Sequence, residues 1–389
     1  MCFIHSMTKI SPTISHYVKQ IPGRIKFSEY PLTKMDSAKM EGIQYGIPLF
    51  EGVKMNDIAF ITKRLETLNL FRGCKWGCKH CLKNALAPKK GRESILFEDL
   101  KRFVYGFKEL SERLGFDVLN GNKYLNIIDD SNPIDMQIKG LRSGHSVADG
   151  MKLIYDKLGI PTLFVTSGWA DKGNNEYKYA LNTAKRIVNM VKKNPDSVEE
   201  VQISINPFLE TRNYSFRMAE ALMTFLDLFK LDKAKIIFRH AEDGNAGYDE
   251  KAAKQLYADI YNDLNKITHS KLEGVPQLKP DVVTVFDKSH LIEPSGRGRK
   301  FFPFERNMKL QKELIQDSLD WGAMSREEQR EVLLNNSLKC IDIDGTVYTT
   351  KPSNAEFVAT PIEITIPTDI KLNYVNKEKP NPIFSDIDV

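Results

Sequence analysis

The chain has 389 residues, 41% apolar and 28% charged, ordinary values for a soluble globular protein that can bury a sizeable core without disulfide staples. No apolar run reaches the ~18 residues that a membrane span needs, and 18 Pro with 23 Gly exclude collagen-like and low-complexity classes. A net charge of +5, from 56 basic and 51 acidic residues, permits an anionic partner without requiring one and does not indicate nucleic acid.

The opening stretch, Met1 to Thr13, lacks a long apolar segment with a small-residue cleavage site, so no signal peptide is expected and a cytoplasmic protein is the default. To about Asn56 the chain is polar and broken by Pro12, Pro22, Pro31 and Pro48, which predicts an irregular extension over residues 1–58. Short apolar runs then alternate with amphipathic segments. Ile61–Phe71 reads as the first strand. Leu100, Phe103, Val104, Phe107, Leu110 and Leu114 follow a helical period, and Gly115 suits its end.

Tyr124–Ile128 is the second expected strand. Val147, Met151, Ile154, Tyr155 and Leu158 mark a helix closed by Gly159, and Thr162–Thr166 is the third strand. Leu181, Ala184, Ile187, Val188 and Val191 form another helical face, with Pro195 beyond its end. Val201–Ile205 is the fourth strand, followed by one helix stripe from Met218 through Leu222, Phe225 and Leu226 to Phe229. Lys235–Phe238 is the fifth strand. Ala253, Leu256, Tyr257, Ile260 and Leu264 predict the next helix, and Val282–Phe286 the sixth strand. From about Lys300 the alternation stops; a helix near Met308–Leu319 and a hairpin around Asp344-Gly345 are expected there.

Six strands separated by helices predict an α/β fold with a parallel sheet and right-handed crossovers. Periodicity alone does not separate an open doubly wound sheet from a barrel or partial barrel. In either arrangement, site residues belong at the C-terminal ends of the strands.

There are five cysteines: Cys2, Cys74, Cys78, Cys81 and Cys340. Three of them form the run Cys74-Lys75-Trp76-Gly77-Cys78-Lys79-His80-Cys81, directly after the first strand. A disulfide framework would spread its cysteines along the chain, whereas clustered thiolates can wrap one inorganic centre. Three ligands are one short of a closed iron–sulfur or zinc site. A zinc site completed by His80 or Cys340 is one reading, and a cubane with one iron open to substrate is the favoured one.

C-x3-C-x2-C at this place resembles the signature of the radical S-adenosylmethionine (radical SAM) superfamily, over about Ile61 to Val285. The resemblance implies a partial (β/α)6 TIM-type barrel over residues 59–300, with an irregular N-terminal extension before it and a small C-terminal α+β tail after it. It implies a [4Fe-4S] cluster on Cys74, Cys78 and Cys81 and S-adenosyl-L-methionine as cofactor. Reductive cleavage of that cofactor to a 5′-deoxyadenosyl radical, which takes hydrogen from a substrate, is the implied reaction. An external electron donor of the flavodoxin or ferredoxin type would supply the electron.

Further positions line up with this family. His80 stands beside the third cysteine, where the family has an adenine-facing residue. Asp130-Ser131-Asn132-Pro133 stands where the family has Gly-Gly-Glu-Pro, although only the proline matches; a plain turn is the alternative. Thr166-Ser167-Gly168-Trp169 is similar to the family's Thr-Asn-Gly strand ending, and Ser204-Ile205-Asn206 to its Ser-Leu-Asp ending. Ser204 and Asn206 are candidates for the ribose hydroxyls or the methionine moiety, and Arg239, closing the fifth strand, for the methionine carboxylate. The alternative for Arg239 is a surface salt bridge.

The tail, residues 301–389, resembles an accessory domain called SPASM around Cys340 to Thr350. There, cysteines hold auxiliary clusters; here Thr350 stands where the next thiolate is expected, so Cys340 is read as a buried apolar residue and the tail as clusterless. Arg297, Arg299 and Lys300 read as a solvated basic run. SPASM-like tails suggest a peptide or protein substrate. A small-molecule or nucleotide substrate, or a non-catalytic iron–sulfur or zinc module, are the alternatives.

Overall fold

The computed structural model describes residues 49–54, 57–58, 61, 65–74, 92–114, 124–127, 132–169, 175–205, 213–238, 250–268, 272, 274–283, 323–325, 328, 339–351 and 364–374. Two short strands come first, β1 (Leu65–Leu68) and β2 (Phe71–Arg72), followed by β3 (Glu93–Ser94). Ile61, expected in the first strand, is helical, and the expected continuous strand is broken at Asn69-Leu70, where the chain leaves one sheet for another.

Helix α1 (Phe97–Leu114) carries Glu98 and Asp99 in its first turn, where carboxylates complement the helix dipole. Its stripe of Leu100, Phe103, Val104, Phe107 and Leu110 is fully buried, as the helical period requires. Strand β4 (Leu125–Asn126) follows, then an unanticipated hairpin of β5 (Gln137–Lys139) and β6 (Gly144–Ser146). Helix α2 (Val147–Leu158) starts at a capping box. The Asp149 amide donates to Ser146 Oγ at 3.4 Å and the Ser146 amide donates to Asp149 Oδ2 at 2.7 Å.

Strand β7 (Thr162–Thr166), helix α3 (Asn175–Lys193) and strand β8 (Val198–Ile205) match the expected order. The next stripe is not one helix but two, α4 (Tyr214–Thr224) and α5 (Leu226–Lys230), parted at Phe225. The Thr224 hydroxyl donates back to the Glu220 carbonyl at 2.9 Å, and this local bonding competes with continuation of the helix. Strand β9 (Ala234–Phe238) and helix α6 (Glu250–Thr268) complete the alternation.

The expected sixth strand is not formed at its start. Val282 and Val283 lie in a turn, both amides donating to the Lys279 carbonyl, and Val282 is 53% exposed. Lys279-Pro280-Asp281 supplies the turn chemistry; residues 284–286 lie outside the described residues, as do the expected helix at 308–319 and the basic run at 297–300.

A sixth parallel strand does exist, at the opposite edge and from the tail. The tail contributes β10 (Lys339–Ile341), β11 (Thr346–Lys351) and β12 (Ile364–Lys371). The eight-stranded sheet runs β12-β11-β10-β1-β4-β7-β8-β9. Strands β10, β1, β4, β7, β8 and β9 are parallel, with Thr67 beside both Cys340 and Asn126 and Phe164 beside Val201. Strands β10 and β11 form the expected antiparallel hairpin through Asp344-Gly345, and β12 pairs antiparallel with β11.

From β1 to β9 each parallel strand joins the sheet in sequence order, and the helices pack α1 on α2, α2 on α3 and α4 on α6. The end of the predicted extension is no loose segment: Leu49, Phe50 and Ile58 are fully buried, and Phe50 packs on Phe107 at 5.4 Å. The Leu49 carbonyl accepts from the Asn373 amide at 2.9 Å, and the Asn373 carbonyl accepts from Arg102 at 2.9 Å. Among the described residues no helix is long and apolar enough to cross a membrane.

Candidate functional site

Parallel strands all end on one edge of a sheet, so residues just beyond β1, β4, β7, β8 and β9 are brought to a common edge. Of the expected site residues, Cys74, Asn132, Ser167 and Ser204 are described: Asn132 and Ser167 are brought together by a hydrogen bond, Ser204 lies within β8, and Cys74 follows β2 of the separate two-stranded sheet. Cys78, Cys81, His80, Asp130, Ser131, Asn206 and Arg239 lie outside the described residues.

Cys74 is a half-buried thiol, not in a disulfide, two residues past β2. The chain reaches it through Gly73, whose φ of +89° is in the left-handed region that a side chain would strain. Strands β2 and β3 pair antiparallel, Phe71 with Ser94 and Arg72 with Glu93, so this two-residue ladder closes the neck of the cysteine loop. Three thiols at cluster spacing, of which Cys74 is the described one, fit an iron–sulfur centre chemically. Among the described residues no group of three or more Cys, His, Asp or Glu comes together.

Asn132 is 3% exposed, and its side chain is saturated. Its Nδ2 donates to the Gly168 carbonyl at 2.7 Å and to Asp135 Oδ2 at 3.1 Å. Its Oδ1 accepts from the Thr166 hydroxyl at 2.9 Å and from the Ser167 amide at 3.3 Å. Two donors and both lone pairs are therefore used inside the protein. Asn132 is thus pinned to the end of β7, and its own side chain has no polar capacity left over for a ligand. Gly168 has φ +77°, and a Cβ there would come 3.2 Å from Met218 Sδ, so Thr166-Ser167-Gly168 can turn tightly over α4 only with glycine. Ser204 is 6% exposed, one residue from the end of β8.

Two groups near this edge escaped the sequence reading. Asp135, a buried carboxylate, accepts from Arg92 Nη1 at 3.3 Å, and Arg92 Nη2 donates to Glu176 at 2.8 Å. Arg92 stands where the cysteine loop rejoins β3, so the loop's exit is tied to the Asn132 segment. These residues, with Ser94, Lys139 and Tyr179, line a cleft of about 330 Å³. The Tyr179 hydroxyl donates to the Met136 carbonyl at 3.1 Å, and burial pushes its pKa up to about 12.

The second group is Asn69, Arg72 and Asp342, which joins the tail to the neck of the loop. Arg72 Nη2 donates to Asp342 Oδ2, and Asn69 Nδ2 donates to Asp342 Oδ1 at 3.2 Å. Cys340, expected as a buried apolar residue, is half-buried and donates from Sγ to Asn69 Oδ1 at 3.4 Å. Its thiol is drawn into this polar group because β10 lies directly beside β1. The sequence reading places the hairpin turn at Asp344-Gly345; the contact of Asp342 with Arg72, 270 residues away, has no local signal.

Asn132→Ala would leave the Gly168 carbonyl only the Thr166 hydroxyl at 3.5 Å, and would remove one acceptor each from Thr166 and the Ser167 amide and one donor from Asp135. At about 1–3 kcal/mol for each buried polar group left unsatisfied, the urea unfolding midpoint is expected to fall by at least the equivalent of one such group with an unchanged m-value. An unaltered midpoint would mean that the segment is held by other contacts.

No protein-family model matches the chain, and no curated protein matches it either.

Proposed function

We propose that the chain is a radical SAM enzyme built on a partial (β/α) barrel, acting on a peptide or protein. The observation that carries the reading is the run Cys74, Cys78, Cys81, which begins two residues past β2, the short strand that follows β1, in a chain whose parallel strands from β1 to β9 join in sequence order. Sequential addition from β1 to β9 is the order a barrel wall requires, and it supports the partial-barrel reading. When bound, a [4Fe-4S] cluster with S-adenosylmethionine supplies one-electron cleavage of the sulfonium and a radical able to take hydrogen from an unactivated carbon.

The chain's own residues hold and orient. Cys74, Cys78 and Cys81 bind as thiolates, each giving up its proton. Asn132 is held against Ser167 and Gly168, and the segment it ends would hold the cofactor's amino group. In this reading Ser204 and Asn206 meet the ribose or methionine groups, Arg239 the carboxylate, and His80 the adenine. A flavodoxin- or ferredoxin-type donor delivers the electron.

The test is anaerobic purification and reconstitution with iron and sulfide. A brown protein that bleaches with dithionite and then makes 5′-deoxyadenosine from S-adenosylmethionine is expected. A colourless protein that retains zinc through reconstitution would overturn the reading.

A further inference from the structure

We propose that Asp342, on the turn of the C-terminal hairpin, is a positioning residue for Cys74. The proposal rests on the reading of Cys74 as a cluster ligand for its purpose, but not for its geometry.

The neck of the cysteine loop is short. Strand β2 has two residues, its ladder with β3 has two pairs, and the Ile95 amide adds a hydrogen bond to the Leu70 carbonyl at 2.9 Å. Short ladders open more easily than long ones. The tail supplies a further restraint. Asp342 is 7% exposed, and its carboxylate accepts from Asn69 Nδ2, from Arg72 Nη2 and from the Ile343 amide at 2.8 Å. The Asn69 amide donates to the Ile341 carbonyl at 2.8 Å, so main chain and side chain hold the same point. Asp342 is itself held, its amide donating to the Thr346 carbonyl and its carbonyl accepting from the Gly345 amide, both at 2.9 Å.

The result is a rigid carboxylate that grips both sides of Leu70-Phe71. Beyond the second grip, at Arg72, only Gly73 precedes Cys74. Glu93 also reaches Arg72, at 3.5 Å, but it is 42% exposed and on the partner strand of the neck, so it opens when the neck opens. Asp342 is anchored outside the neck and does not. The Arg72–Asp342 pair is a part-buried, charge-assisted hydrogen bond, a stronger class of contact than the one from the neutral Asn69 side chain. The C-terminal hairpin therefore sets where the cysteine loop begins.

The test uses the full-length protein without cluster first. Alkylation of Cys74 by iodoacetamide is followed by peptide mass spectrometry and scaled to the rate in urea. Asp342→Asn is expected to raise the Cys74 rate by about tenfold, the factor lost when a hydrogen bond between charged groups no longer opposes opening. Asp342→Glu should recover part of the protection. Asp344→Asn, in the same turn without a hydrogen bond to Asn69 or Arg72, should stay within about twofold. If Asp342→Asn fails to fold, Arg72→Gln tests the same contact with the turn carboxylate left in place.

A Cys74 rate within twofold of the parent in both Asp342→Asn and Arg72→Gln would reduce Asp342 to a turn former and overturn the proposal. Reconstituted Asp342→Asn is then expected to show a shifted cluster midpoint potential and faster iron loss to a chelator than the parent. If the parent protein binds no cluster while the alkylation difference persists, the cluster reading fails and the positioning of Cys74 stands.

Discussion

A chain ended after residue 338 is expected to lose its cooperative unfolding transition rather than shed a separate module. The missing strands β10 to β12 and their flank bury Ile341, Val347, Ile370 and Leu372, none more than 6% exposed. At about 1.5–3 kcal/mol for each buried aliphatic side chain, their sum is roughly the whole net stability of ~5–15 kcal/mol typical of a folded protein. Two further losses act in the same direction. Strand β1 would face solvent along the side now paired with β10, and the Leu49 carbonyl and Arg102 would lose Asn373. Thermal melts followed by circular dichroism, with limited proteolysis, measure the outcome. A transition as sharp as the parent's at the parent's midpoint would show that the tail is an independent appendage.

If the proposed cluster is present, the parent is expected to hold about four irons and four sulfides, as one cubane requires, and replacing Cys74, Cys78 and Cys81 together by Ala is expected to remove them. Each single replacement should bring 5′-deoxyadenosine formation to background, because each strips one thiolate from a site that has three. Cys340→Ser should keep the full iron content. Cys340 sits on β10 with its thiol on Asn69, and no histidine follows His290 to help build a second site in the tail. Substantial iron in the triple variant, with a cluster signal in its electron paramagnetic resonance spectrum, would establish another cluster and undo the reading of the tail.

Where local chemistry decides, the sequence alone was sufficient. Apolar residues at three and four spacing placed the buried faces of α1, α2, α3 and α6, because a helix shows one stripe to the core whatever else surrounds it. Thr162–Thr166 was legible to the residue, being a β-branched and apolar run between a proline and a glycine turn. The hairpin at Asp344-Gly345 was legible from its turn residues. The spacing of the three cysteines carried the candidate chemistry without any fold.

Tertiary structure decided what depends on partners far along the chain. The place of β10 beside β1 joins residues more than 270 apart, and no periodicity encodes which edge of a sheet an added strand takes. Val282-Val283 has the composition of a strand, yet the preceding Pro-Asp closes it into a turn on Lys279, a contest that propensity does not resolve. Leu49 and Phe50 follow a polar stretch and looked peripheral until α1 and the Asn373 segment supplied the surfaces that bury them. Asn132 reads in sequence as a candidate cofactor-binding residue with a plain turn as the alternative, and nothing in the sequence singles out Asp342. Their carbonyl and carboxylate oxygens became fixed points of the site only because folding brought Thr166, Ser167, Asn69 and Arg72 within hydrogen-bond reach, and a buried polar group must be satisfied by whatever the fold sets beside it.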